Sequence, residues 1–360
     1  MNRCLPALLL LLLIVVPAVG HDPDSYEPDT LTLTFLDVGQ GDAILVQAAN
    51  GQAMLVDAGE ASAAPTVESL LAAKGVTHLA YLVGTHDHDD HIGGMASLVG
   101  SMAVDEYLEN GDPAASETAA ALHQTLALRG IPSRNLTAGE TIPLDPANIT
   151  VTVLNPQPVR SGDEDEDSIV LRLVWGETSF FLAGDAGTGA EDRILASGLP
   201  LDHTYFTFLK VGHHGSDTAT GAPFVAAVQP NISVIECGRY NLYHHPSGAV
   251  VKRLQDAGSD VFTTASGGEV RIISYQYGYV EYSHGGQLPV TVEGASLPPT
   301  DPDFDGLYED VNGNGRKDFE DVVFYFNRMT WIDENERWWF DFNDNNRIDF
   351  GDVVRLFGLL

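Results

Sequence analysis

Leu79-Ala80-Tyr81-Leu82-Val83 runs into Gly84-Thr85-His86-Asp87-His88-Asp89-Asp90-His91-Ile92-Gly93-Gly94, and this stretch decides the fold. The apolar half, closed by a glycine, predicts a buried strand. Directly behind it, histidines and aspartates follow the spacing H-x-H-x-D-H. A tight loop leaving a strand points alternate side chains inward, and the glycine pair lets a helix begin close behind. Imidazole with carboxylate is a ligand set for zinc, manganese or iron. A solvated loop gives no reason for so many ionisable groups between an apolar strand and paired glycines.

Outward from this point, residues 31–38, 43–47 and 54–57 read as three consecutive strands separated by the turns Gly39-Gln40-Gly41-Asp42 and Asn50-Gly51. Further strands are expected at 149–154, 169–175, 179–182, 204–211 and 232–235, with a closing hairpin of 269–274 and 279–282. Helices are expected at 66–74, 116–129, 191–197, 223–228 and 247–257. Strands that first meander and then alternate with helices imply a layered α/β fold with sheets inside.

The histidine motif, with Met54-Leu55-Val56-Asp57-Ala58-Gly59 upstream and Phe181-Leu182-Ala183-Gly184-Asp185 downstream, resembles the metallo-β-lactamase superfamily. A narrower similarity lies in Phe35-Leu36-Asp37-Val38-Gly39-Gln40-Gly41-Asp42, Ser168-Ile169-Val170-Leu171 and Leu209-Lys210-Val211-Gly212-His213-His214-Gly215-Ser216. These are similar to the hydrolase domain of ComEC-type competence proteins and their stand-alone secreted relatives, over residues 30–283. The resemblance implies a four-layer αβ/βα sandwich with a two-metal site, zinc or manganese, at the edge of its sheets. His86 and His88 would hold one ion, Asp90 and His91 the other, and Asp185 would bridge. Two cations sharing a carboxylate can share a hydroxide, because metal binding lowers the pKa of water to about 7. Asp90 would orient that nucleophile.

His213 and His214 follow a strand as superfamily ligands do, and the sequence leaves open which of them faces the metals. Asn241-Leu242-Tyr243-His244-His245-Pro246 resembles the family's Asn-x-Tyr-x-His-Pro pattern and implies that His245 is a ligand or substrate contact. The superfamily usually supplies a further histidine before the bridging aspartate. Here the interval holds only His123, inside an expected helix, where a packing or surface role is expected. A carboxylate of Asp163-Glu164-Asp165-Glu166-Asp167, Asp167 foremost, is expected to replace it as a hard oxygen ligand, favouring manganese. The other reading of that run is a solvated acidic loop. Asp37, Asp42 and Asp57 are expected to fix the ligand loops through hydrogen bonds. Lys210 reads either as a contact for an anionic substrate or as a surface lysine.

Two matching acidic segments begin at Asp310 and Asp341. Each places side-chain oxygens at loop positions 1, 3, 5, 9 and 12: Asp310, Asn312, Asn314, Asp318 and Asp321, then Asp341, Asn343, Asn345, Asp349 and Asp352. Arg316 and Arg347 at position 7 would give only a backbone carbonyl. Position 6, Gly315 or Asn346, suits a positive φ. Each loop runs into an apolar helix start. The duplicated pattern resembles a dockerin, an EF-hand-type calcium-folded module, and implies a cohesin-like or cell-surface partner. Asp301 to Gly306 begins a weaker overlapping loop. A merely solvated tail would leave Trp331, Trp338, Trp339 and Phe340 exposed.

The balance of 18 Lys+Arg against 51 Asp+Glu gives a formal charge of -33. Capture of a polyanion by a broad basic surface is excluded, so phosphate chemistry must lean on metal ions. The same excess of acid also suits adaptation to high salt. Met1 to Gly20 reads as a cleaved signal peptide, its apolar run being short for a bilayer span, and so no membrane span is expected after cleavage. Cleavage would leave Cys237 as the sole cysteine and no intramolecular disulfide. Asn135, Asn148 and Asn231 stand in glycosylation sequons of little weight.

The expected organisation is a signal peptide (1–20), a hydrolase domain (29–285), a linker (286–300) and a dockerin-like domain (301–360). The expected function is a secreted, extracellular or cell-surface hydrolase of an anionic phosphodiester or related ester, nuclease-type chemistry included. The competing expectations are a non-catalytic assembly protein that keeps the fold, or hydrolysis of a lactone or β-lactam at the same site.

Overall fold

Side-chain alternation along the strands gives both sheets two buried faces. The computed structural model describes residues 30–360 apart from 114, 115, 203, 240, 277, 279, 284–286 and 303–306. The signal peptide expected at 1–20, part of the hairpin turn and residues 303–306 of the loop expected to begin at Asp301 lie outside the described residues.

Strands β1 (Thr30–Phe35), β2 (Ile44–Gln47) and β3 (Ala53–Val56) pair antiparallel, and β4 (His78–Val83), β5 (Ala103–Glu109) and β6 (Ser133–Asn135) add to them in parallel. A second sheet comprises β7 (Thr141–Ile142), β8 (Ile149–Asn155), β9 (Val170–Trp175), β10 (Thr178–Leu182), β11 (Phe206–Lys210), β12 (Ile232–Ile235) and β13 (Asp260–Thr263). The chain then returns to the first sheet as the hairpin β14 (Val270–Tyr275) and β15 (Val280–Tyr282), with β14 beside β1. The strand orders are β15-β14-β1-β2-β3-β4-β5-β6 and β13-β12-β11-β10-β9-β8-β7.

Leu33, Val46, Met54 and Val56 of the first sheet meet Val151, Leu171, Phe180 and Phe208 of the second in the central core. Their neighbours Leu45 and Leu55 point the other way. They pack beneath α1 (Ala64–Ala73), α3 (Met95–Ser101) and α4 (Glu117–Arg129), against Val67, Leu71, Leu98 and Leu122. On the far side, Phe181 and Leu209 pack under α5 (Thr188–Ala196), α6 (Ala222–Val228) and α7 (Gly248–Asp256) through Ile194, Phe224 and Leu254. The layer order is helix, sheet, sheet, helix, as expected.

The expected elements are present with shifted ends. The helix expected at 191–197 begins at Thr188, because Gly187 in an extended conformation opens it. Ser116 is the cap of α4, its hydroxyl accepting from Ala119 N at 3.0 Å. Sequence reading gave no range for α3, which begins directly behind the glycine pair, and missed β5, β6, β7 and β13 as well as the single turns α2 (Asp89–Ile92) and α8 (Thr264–Gly267). β5 carries Asp105, Glu106 and Glu109, which hide the apolar pair Tyr107 and Leu108.

The C-terminal segment folds into α9 (Phe319–Phe326), α10 (Met329–Asn335), α11 (Arg337–Phe340) and α12 (Phe350–Leu359). Val322, Tyr325, Ile332, Phe340, Val353 and Leu356 form a core of their own. The two acidic loops close alike. Asp321 accepts from Asn312 N at 3.2 Å and Asp318 N at 2.8 Å, and Asp352 accepts from Asn343 N at 3.1 Å and Asp349 N at 2.8 Å. No helix among the described residues is long and apolar enough to cross a membrane.

Candidate metal centre

Strands β3 and β4, and likewise β10, β11 and β12, run parallel, so the loops at their C-terminal ends share one rim. There the loop after β4 brings His86, His88, Asp90 and His91, the loop after β10 brings Asp185, and the turn after β11 brings His214. Five overlapping groups have their ligand atoms within 4.8 Å of one another, and two of them serve as sets here: His86, His88 and Asp165, and Asp90, His91 and His214. Asp165 Oδ1 lies 3.1 Å from His88 Nδ1 and 3.5 Å from His86 Nε2. Asp90 Oδ2 lies 3.3 Å from His214 Nε2. Asp185 lies 3.3 Å from His91 Nε2 and 3.4 Å from His214 Nε2, and it also groups with His86 of the first set within 4.8 Å.

Asp165 Oδ1, Asp185 Oδ1, His91 Nε2 and His214 Nε2 are buried without a hydrogen-bond partner. Such atoms are costly when left bare and are satisfied by a ligand. Imidazole nitrogens and carboxylate oxygens aimed at two neighbouring points fit two divalent cations.

The outer nitrogens of these histidines are held. Asp57, fully buried, accepts from Thr85 N at 2.8 Å and Thr85 Oγ1 at 2.7 Å, and pairs with His91 Nδ1 at 2.8 Å. His86 Nδ1 meets Ser168 Oγ at 3.2 Å, and the same hydroxyl accepts from Asp185 N at 3.2 Å. His214 Nδ1 is 2.9 Å from the Glu236 carbonyl and 3.2 Å from Asp42 Oδ1. Gly41, with φ of 123°, lets the loop after β1 reach Asp90, since an added Cβ would sit 2.2 Å from the Asp90 carbonyl oxygen.

Burial pushes the His91 and His214 imidazoles down, but the Asp185 carboxylate, with Asp57 beside His91 and Asp42 beside His214, raises both well above the ordinary histidine range. In turn burial would raise Asp185, and His214 and His91 hold it well below the carboxylate range. Burial lowers His86 well below its usual value. A cation bound there would take the place of the protons that Asp185 favours on His91 and His214.

His214 is the histidine of its pair that turns into the cluster. The turn places His213 and His214 at φ of 48° and 53°, a left-handed conformation costing about 1–3 kcal/mol per residue. His213 stays half-exposed, 3.7 Å from Asp185 Oδ2 and 3.8 Å from Asp165 Oδ2. His245 joins neither set; its ring lies 5.9 Å from that of His213 and 6.4 Å from that of His214, at the mouth. Burial first, then His214 and His213, lower its pKa to about 4.

Asp165 stands where Asp167 was expected. Asp167 turns away and accepts from Ser161 N at 2.8 Å and Gly162 N at 3.1 Å, closing the loop that presents Asp165. Asp37 is exposed and accepts from Gly39 N at 3.2 Å, so its expected role at the ligand loops reduces to a turn. Lys210 is neither surface lysine nor substrate contact: it is fully buried, paired with Asp42, and donates to the Gly184 carbonyl at 3.1 Å. His123 pairs with Glu109 at 3.1 Å, away from the cluster. Thr85, Ser168 and Glu236 were given no role at the sequence level. Ser168 precedes a strand within a motif already singled out, which was the available signal. No residue of the C-terminal loops belongs to such a tight His, Asp and Glu group among the described residues.

The sequence profile of the metallo-beta-lactamase superfamily matches residues 36–239. Competence protein ComA of Neisseria gonorrhoeae is 30% identical over 272 residues, covering 72% of this chain and 34% of the relative. ComE operon protein 3 of Bacillus subtilis is 26% identical over 286 residues, 75% of this chain and 35% of the relative. The chain thus spans about a third of the length of these curated relatives. Among solved structures, the metallo-beta-lactamase fold protein YhfI from Bacillus subtilis shares 14% identity at a TM-score of 0.44, covering 71% of this chain and 100% of that one. A diphosphatase of the PhnP family shares 14% identity at a TM-score of 0.41, covering 71% of this chain and 99% of that one.

Proposed function

The chain belongs to the metallo-beta-lactamase superfamily and has the fold of its metal-dependent hydrolases, and from that premise we propose that it hydrolyses a phosphodiester with two divalent cations at the cluster described above. The observation that carries the reading is the pair of ligand sets with Asp185 grouped against both. His86, His88 and Asp165 would hold one ion, Asp90, His91 and His214 the other, and Asp185 would touch both. Asp165 in place of a third imidazole favours manganese over zinc at the first position. When bound, the two ions supply Lewis acidity and a water activated at neutral pH.

The side chains do the rest. Asp57 keeps the proton of His91 on Nδ1, leaving Nε2 free. Asp90, part-buried at the mouth, orients the attacking water through a carboxylate oxygen. His245 is neutral at physiological pH and offers a ring nitrogen without a hydrogen-bond partner to the substrate. The relatives named Competence protein ComA and Recombination protein 2 lend support to a phosphodiester. The charge of -33 favours a short substrate over a long polyanion.

The same reading takes residues 301–360 as a calcium-folded, dockerin-like module for a cohesin-like or surface partner, and residues 1–20 as a secretion signal. The repeated hydrogen-bond pattern of the two loops supports the calcium assignment. Replacing His88 by Ala or Asp185 by Asn is expected to abolish manganese-dependent hydrolysis of bis(p-nitrophenyl) phosphate; full activity in either variant would overturn the assignment. Chelation of calcium is expected to lower the melting temperature of the C-terminal segment and to abolish retention at the cell surface.

A further inference from the structure

A cavity of about 380 Å³ reaches the mouth of the metal centre through His245, and part of its lining comes from the C-terminal segment. His245, Asn241 and Ser266 line it from the hydrolase domain, and Pro299, Thr300 and Tyr308 line it from the segment that follows, Tyr308 reaching the Ser266 side chain. His245 is shared between cavity and centre, its ring 6.4 Å from that of His214. Its Nδ1 is buried and has no partner.

The contribution of the C-terminal side is fixed. Thr300 and Asp310 exchange backbone hydrogen bonds of 3.1 and 3.3 Å, and Thr300 Oγ1 donates to Asp310 Oδ2 at 2.7 Å. Tyr308 is 5% exposed, hydrogen-bonds with the Ser266 side chain and stands edge-on to Trp339 at 5.6 Å. Proline rings and one aromatic ring make flat, rigid, apolar surfaces. They suit a planar group that loses little entropy on binding. Asp301 on the same side opposes a second phosphate. The volume lies at the lower end of ligand pockets, about 300–1,000 Å³, enough for one ring system.

We propose that this cavity is a subsite for one ester arm of the substrate, an uncharged planar ring of nucleobase size, with Tyr308 as its specificity residue. The inference rests on the phosphodiester reading and deepens it. Water adds its hydroxyl to phosphorus, the P–O bond to one arm breaks, and the departing oxygen leaves with a proton, while the arm in the cavity sets the register of phosphorus at the metals. Because Tyr308 lies beyond the matched residues 36–239, this selectivity belongs to the C-terminal segment.

The test uses the full chain loaded with manganese and adenosine as an uncharged probe, measured by calorimetry and as a competitor of bis(p-nitrophenyl) phosphate hydrolysis. Adenosine is expected to bind and compete. Tyr308→Ala, and Ser266→Phe, which fills the cavity from an exposed position, are each expected to weaken it roughly tenfold. No binding by the natural chain, or binding that both variants leave intact, overturns the subsite. Binding weakened by both variants with no hydrolysis of any phosphodiester keeps the ring subsite and overturns the phosphodiester reading instead.

Discussion

Exchanging Asp57 for Asn isolates the hydrogen bond behind His91. The substitution keeps volume, and Asn tolerates the left-handed backbone of this position, φ 59°. Its amide oxygen can still accept from Thr85 N, at 2.8 Å in the natural chain. Its amide nitrogen then faces His91 Nδ1, where the carboxylate stood at 2.8 Å. Two donors cannot pair, so His91 must move its proton to Nε2, the nitrogen 3.3 Å from Asp185. That nitrogen is then no longer a ligand. Loss of such an orienting partner typically costs about 10–100-fold in metal affinity, or about 1.4–2.7 kcal/mol. The assay is a manganese titration against a chromophoric chelator, with thermal melting of the metal-free protein to show that the fold persists. A folded Asp57→Asn variant that binds two ions as tightly as the natural chain would refute the reasoning.

Three further outcomes follow from the same geometry. Asp165→Ala is expected to remove one bound ion per chain, and Asp165→His to retain it with a preference moved from manganese towards zinc, both read by elemental analysis. Gly41→Ala would bring a methyl group 2.2 Å from the Asp90 carbonyl oxygen, so the Asp90 loop must shift, and turnover is expected to fall about 100-fold with little change in secondary structure by circular dichroism. Glu191 is buried between α5 and the turn before α6, and burial raises its pKa from 4.5 to about 7 against the pull of Gly221 and Thr220 N–H groups. A raised carboxyl binds its proton more tightly when folded, so its contribution is full below pH 4.5 and lost as pH rises through about 7. Glu191→Gln is expected to flatten that part of the stability profile by about 1–3 kcal/mol in urea titrations.

The ligand loop after β4 was legible because its chemistry is contiguous: four candidate ligands, three histidines and an aspartate, lie within six residues behind an apolar strand. Asp185 was legible as the end of another strand. The choice between His213 and His214 was not, because it depends on a pair of positive φ angles in a turn that no side-chain pattern announces. Asp165 and Asp167 have the same chemistry two residues apart. Which one faces the metals follows from the backbone of 161–162 capturing Asp167, a contact made across the loop. Lys210 was misread because a charged residue at a strand end normally reaches water, whereas here Asp42, distant in sequence, neutralises it inside the protein. The duplicated loops of the tail repeat in sequence, and their capping hydrogen bonds repeat with them.

The most direct measurement is metal content and turnover on one preparation of the full chain, stripped of metal and reloaded with manganese. The account predicts about two transition-metal ions per chain, with bis(p-nitrophenyl) phosphate hydrolysis lost on stripping and restored on reloading. Full hydrolysis by the metal-free protein, or none by protein carrying both ions, would contradict it.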